Sequence, residues 1–189
     1  MRRLSFSLTV LLALLFARGA SAEAVLEGVR VPDTQLVNGT TVTLNGVGLR
    51  TATFVKVKVY VMALFLETPD RNPSAIIDST EAARIELHMM RDVGAKDMRK
   101  AWTEGFKNNY KGSADLSAEL ETLKTATSDL SEGDIMAFDF DGATVTVHHN
   151  GETTATIEGA ELRRALMSIW LGDKPPNEGL KKGVLGVDG

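Results

Sequence analysis

From Leu44 to Glu67 the chain reads LNGVGLRTATFVKVKVYVMALFLE, the longest strand-like apolar run outside the N-terminal segment. Within it, Phe54 to Leu66 alternates in character. Val55, Val57, Val59 and Val61 fall on one face of an extended strand, and Lys56, Lys58 and Tyr60 fall on the other. Upstream, Val25 to Val31 and Thr34 to Val37 read as short strands, Asn38-Gly39 as a tight turn, and Thr41 to Leu44 as a further strand. Ala83 to Met90 reads as a strand as well. The period then lengthens: Met98, Trp102, Phe106 and Tyr110 recur every fourth residue and form one apolar stripe, which predicts a helix from Ala95 to Tyr110. A second amphipathic helix is predicted from Ala114 to Thr127, with Leu116, Leu120 and Leu123 as its buried edge. Ile135 to Phe140, Ala143 to His149 and Thr153 to Ile157, joined by Asp141-Gly142 and Asn150-Gly151, predict a three-stranded antiparallel meander. A helix from Ala160 to Leu171 turns Leu162, Ala165, Leu166, Ile169 and Trp170 inward, and a Pro175-Pro176 break precedes a terminal helical turn. The fold class is α+β, an antiparallel sheet covered on one face by helices.

The first 22 residues stand apart from this pattern. Arg2 and Arg3 precede the apolar stretch Leu4 to Phe16, and Ala20-Ser21-Ala22 supplies the small-x-small pattern of a signal-peptidase site. The stretch is short for a membrane span, so the expectation is a cleaved secretory signal over residues 1–22, no stable span afterwards, and a periplasmic or secreted product. Residues 23–189 carry no linker, low-complexity segment or repeat and read as one domain, long enough to enclose a core and a small cavity. Loss of the three arginines in the signal takes the formal charge from −4 to −7, which disfavours nucleic acid as a partner. With no cysteine in the chain, disulfides and thiolate metal sites are excluded.

Candidate chemistry concentrates in the long apolar run. Arg50 and Tyr60 place a permanent cation and a phenol beside an interior that is otherwise aliphatic, and such a pair calls for an anion. A solvated strand-end arginine and a core tyrosine with its hydroxyl at the surface are the plain alternatives. Lys58 shares the predicted face of Tyr60 and is a candidate helper, or else a solvated edge charge. Met62, Met90, Met98, Trp102, Phe106 and Ile169 are candidates for a pocket wall, and equally for ordinary core. His148 and His149 are adjacent on a strand and so point to opposite faces, and with His88 they make no zinc pattern. Glu132, Asp134, Asp139 and Asp141 cluster near turns, which is ordinary turn chemistry and only a faint calcium signal. Nucleophile elbows, phosphate loops and dinucleotide fingerprints are absent, and nothing calls for a metal or cofactor.

Three segments, GVGLRTATFVKVKVYVMALFLE, AWTEGFKNN at 101–109 and IWLGDKP at 169–175, together resemble the chalcone isomerase-like superfamily over nearly the whole mature chain, most closely its bacterial exported members. The resemblance implies an open-faced β-sandwich, a large antiparallel sheet and a helical layer enclosing a ligand cleft. The superfamily holds plant enzymes that close a flavanone ring and non-catalytic relatives, fatty-acid-binding proteins among them. The arginine that both branches use falls on Arg50. The rest of the plant catalytic set does not carry over: Lys58 falls where the enzymes have a threonine, Asp97 where they have an asparagine, Met90 where they have a tyrosine, and Ile169 where they have a second threonine, with Ser168 beside it. The fatty-acid-binding members share the arginine and a Lys-Val-Tyr tripeptide, here Lys58-Val59-Tyr60, and in them the arginine and a tyrosine contact the carboxylate. The resemblance therefore implies a non-catalytic binding protein for a fatty acid or similar amphipathic carboxylate, with an isomerase acting on an enone as the alternative. A protein partner on the helical face is a third possibility that the sequence leaves open.

Overall fold

The structure is a computed structural model that describes residues 23–53 and 55–187. The expected signal segment lies outside the described residues. Seven strands form one antiparallel sheet in chain order: β3 (Thr34–Val37), β4 (Thr40–Ala52), β5 (Val57–Leu66), β6 (Ala83–Met89), β7 (Ile135–Asp141), β8 (Thr144–His149) and β9 (Glu152–Glu158). Ahead of them, β1 (Glu23–Leu26) and β2 (Val29–Pro32) form a separate hairpin. Among the described residues five helices are inserted or appended: α1 (Pro73–Asp78), α2 (Ala95–Asn109), α3 (Ser117–Thr125), α4 (Ala160–Leu171) and α5 (Glu178–Val184).

Turn chemistry explains most strand boundaries. Asn38-Gly39 and Asn150-Gly151 carry positive φ at both residues, as two-residue hairpins of the right twist require. Glu27-Gly28 does the same and splits the expected Val25 to Val31 strand into β1 and β2. The long run from Leu44 to Glu67 is likewise two strands: β4 extends to Ala52, and the chain reverses through Thr53 and Lys56, both at positive φ. That turn contains no Gly, Asn or Pro, so no local signal announces it. Asn72 accepts from the Ser74 and Ala75 amides and starts the six-residue α1, which the sequence reading left out. The second predicted helix begins later than Ala114, where the Asp115 carboxylate holds the Ser117 amide ahead of α3.

The side chains of β5 divide the interior. Tyr60, Met62, Leu64 and Leu66 face the helical layer and join the main core with Trp102, Phe138 and Trp170. Ala63 and Phe65 face the other way, where a smaller core forms with Val31, Val37, Val42 and Ala82. The sheet curls to make this second core. A bulge at Asn45 bends β4, so that Gln35 on β3 reaches Glu86 on β6 and Asn38 reaches Asp141 on β7. The sheet face opposite the helices is therefore partly covered by β1 to β3.

Beside that small core lies a polar ladder. Glu86 is buried between Arg84, His88 and Gln35, and Asp139 holds both Arg84 and His148. Burial pushes the Glu86 carboxyl up, but the hydrogen bonds from His88 and Arg84 pull it down and prevail, leaving it below the ordinary carboxylate range. A depressed carboxyl stabilises the fold above its unfolded value, and that stability is lost as the pH falls through the lower folded value. The melting temperature should therefore fall as pH is lowered below about 4, the ordinary Glu value. Thermal denaturation from pH 7 to 3 should show a shallower acid slope in Glu86→Gln, together with a loss of about 3 kcal/mol at pH 7 from breaking a buried pair.

Arg163 on α4 is buried differently. One guanidinium nitrogen donates to the Glu81 carbonyl and the group lies 5.5 Å from the Phe140 ring centre, but Nε and Nη1 have no partner among the described residues. Burial lowers its pKa to about 10, against the pull of Asp141 and Glu81. Because an unpaired buried cation opposes folding, Arg163→Met should leave the melting temperature unchanged or raise it, by about 1 kcal/mol of stability. A large loss would mean that the guanidinium is fully satisfied in solution.

Candidate functional site

Directly opposite each other across β4 and β5 stand Arg50 and Tyr60, at the end of the sheet where α2 and the segment joining α4 to α5 pass over it. Their placement follows from local sequence. On the helix-facing side of β4 the residues are Gly46, Gly48, Arg50 and Ala52, spaced by two. The two glycines let α5 rest on the bare strand. A Cβ at Gly46 would collide with the Gly183 carbonyl, and one at Gly48 with the Leu180 carbonyl. Beyond the glycines the same face offers Arg50, and the start of α5 brings Asn177 to it.

Asn177 Oδ1 accepts from Arg50 Nη1 at 3.0 Å and from the Thr51 amide at 2.9 Å. The guanidinium is half-buried and pairs with no carboxylate among the described residues. Tyr60 is buried, and its hydroxyl oxygen accepts from Trp170 Nε1 at 3.0 Å. Burial raises the phenol's pKa, only partly offset by the Trp170 hydrogen bond and the charge on Arg50, so Tyr60 stays neutral and keeps a proton to donate.

Between the two residues and α2 lies a cavity of about 380 Å³. Arg50, Ala52, Val59 and Tyr60 form its sheet wall. Met98, Ala101, Trp102 and Gly105 form its helix wall, and Ile169 with Lys174, Pro175 and Pro176 closes the third side. Asp97 and Glu104 on α2 also border it, so two carboxylates balance the two cations Arg50 and Lys174. A single negative head group is thus favoured only at the Arg50 end. A groove of about 500 Å³ between α1 and α4 is larger, but its charged walls are already paired, Tyr110 and Arg164 both to Glu161 and Arg164 also to Asp78.

The candidate residues named from sequence separate into two groups. Arg50, Tyr60, Met98, Trp102 and Ile169 meet at this cavity. Met62 is fully buried under the sheet's helix-facing side, Phe106 lies in the same core, and Met90 sits half-buried past the end of β6, its amide bonded to the Val59 carbonyl; none of the three lines the cavity. Lys58 is a correction. The expected alternation would put it beside Tyr60, but the ladder shifts between Arg50 and Thr51: Arg50 faces Tyr60 and Thr51 faces Lys58, leaving Val59 as the extra residue of a bulge. Val59 and Tyr60 therefore both reach the cavity, and Lys58 turns to the far face, where it pairs with Glu27 of the β1–β2 turn. His148 and His149 go to different carboxylates, Asp139 and Asp134.

The sequence model of the family described as chalcone isomerase-like matches residues 23–186. The chain belongs to the chalcone isomerase-like family. Among curated proteins none is similar enough in sequence to match. The chalcone isomerase-like domain superposes on the crystal structure of a fatty-acid-binding protein of Arabidopsis thaliana with a TM-score of 0.72, covering 87% of this chain and 96% of that one. At 15% identity the likeness speaks for the fold. Two residues of the candidate site escaped the sequence reading: Asn177, which holds Arg50, and Trp170, read only as an inward-facing helix residue, which holds Tyr60. Both fall in or just beyond the IWLGDKP segment, whose composition marks a helix end and a proline break but not what those side chains reach.

Proposed function

We propose that the chain is an exported, non-catalytic binding protein for a fatty acid or similar amphipathic carboxylate, whose head group is held by Arg50 and Tyr60. The observation that carries this reading is a half-buried guanidinium without a carboxylate partner among the described residues, opposite a buried neutral phenol whose oxygen is already engaged by Trp170. A carboxylate at that point receives charge-assisted bonds from the guanidinium and a third hydrogen bond from the phenol. Apolar wall residues Val59, Met98, Trp102 and Ile169 take the hydrocarbon. That an Arabidopsis thaliana protein of the same fold is a fatty-acid-binding protein supports the ligand class. Isothermal titration of the mature protein with decanoate and with its methyl ester tests the reading. Binding of the acid and not of the ester is expected, whereas equal binding of both removes the head-group role.

The enzyme alternative draws on the same pair, since a guanidinium and a neutral phenol would also meet an enolate oxygen. Against it, Asp97 and Ile169 border the cavity where the resemblance aligns an asparagine and a threonine of the plant enzymes, and each missing oxyanion donor is worth about 2.7 to 4 kcal/mol. Chalcone incubated with the protein should isomerise no faster than in buffer; turnover abolished by Arg50→Met would reverse the preference.

A further inference from the structure

We infer that the site is shallow and selects a short carboxylate of about a dozen non-hydrogen atoms, excluding the tails of long-chain fatty acids. This rests on the carboxylate reading of Arg50 and Tyr60. The space between sheet and helices, into which a long tail would have to run, is filled by three aromatic rings. Trp102 lies edge-on to Phe138 at 5.7 Å between centres and to Trp170 at 6.0 Å, and Phe138 lies 6.1 Å from Trp170. None of the three is more than 2% exposed.

Both indoles are pinned. Trp170 Nε1 donates to the Tyr60 hydroxyl, and Trp102 Nε1 donates to Thr127 Oγ1 at 3.1 Å, so rotating either ring out of the way orphans a buried N–H. Met62 and Leu64 are fully buried beneath them. A sideways exit between α2 and α4 is shut as well, because Gly105 sits so close to Ile169 that an added Cβ would lie 2.9 Å from its Cγ1. What remains is the 380 Å³ in front of this floor. That is near the lower end of the roughly 300 to 1,000 Å³ usual for ligand pockets. At about 30 Å³ per water-sized group it holds roughly a dozen heavy atoms. Three belong to the carboxylate, so about nine carbons fit behind it, and a sixteen-carbon acid would leave roughly two-fifths of its tail in solvent.

The test is a titration of the mature wild-type protein with saturated carboxylates from six to sixteen carbons, each below its micelle concentration, with Arg50→Met titrated alongside. Affinity should rise about fourfold per methylene while carbons enter the cavity, and by less than twofold per methylene beyond about ten. Met98→Ala, which enlarges one wall while keeping both pinned indoles, should move the break outward by one or two carbons. A steady fourfold gain through sixteen carbons overturns the shallow site while leaving the carboxylate reading intact. Failure of every acid to bind, or binding of decanoate by Arg50→Met as tight as by wild type, overturns the carboxylate reading and this inference with it.

Discussion

Gly48→Ala is expected to lower the melting temperature by about 10 °C. The added Cβ would overlap the Leu180 carbonyl oxygen and lie 2.9 Å from both the carbonyl carbon and Cα of the same residue, all of them backbone atoms of α5. A flexible side chain could swing away, but backbone cannot, so α5 has to lift. Lifting is opposed from both sides: Gly183 packs as tightly on Val47, and Asn45 is bonded to the Val184 carbonyl. Overpacking typically costs about 1–3 kcal/mol, and a contact with nowhere to relax belongs at or above the top of that range. For a domain of this size, each kcal/mol shifts the midpoint by about 2–4 °C. The same displacement moves Asn177 away from Arg50, so decanoate binding should weaken in parallel. Differential scanning calorimetry decides it; a midpoint within 2 °C of wild type would mean that the helix does not rest on bare strand in solution.

The second large effect is on binding. Arg50→Met should reduce decanoate affinity by about 10- to 150-fold, since hydrogen bonds to a charged group contribute about 1.5–3 kcal/mol. The fold should hardly notice. Arg50 is half-buried and, among the described residues, bonded only to Asn177, and methionine fills the same stem volume without a charge to desolvate. Titration calorimetry and thermal denaturation of the one variant separate these roles. Lost binding with an unchanged midpoint identifies a head-group ligand, whereas a midpoint that falls with the affinity identifies a structural arginine. Asn177→Ala should give a weaker version of the same result, because it frees the guanidinium rather than removing it.

Several elements were legible in the chain because their signals are local. The α4 boundaries, the apolar stripe of α2, and the meander from β7 to β9 with its Asp-Gly and Asn-Gly turns all rest on spacing and turn residues within a dozen positions. The reversal at Thr53 to Lys56 was not legible, since a turn built on Thr and Lys at positive φ carries no composition signal, and two strands read as one run. The misplacement of Lys58 had a similar origin. Alternation assigns faces only while the register holds, and a single extra residue, Val59, flips everything before it.

The chain alone determined that Arg50 and Tyr60 lie in a strand-forming apolar run, that helices accompany the sheet, and that no thiolate takes part, because each follows from residue type and short-range periodicity. Only the tertiary structure decided that the two residues stand opposite one another, that Asn177 and Trp170 hold them, and that three aromatic rings close the space behind. Those are contacts between segments up to 127 residues apart, and free volume belongs to the packed whole: no stretch of sequence states how much room its neighbours leave.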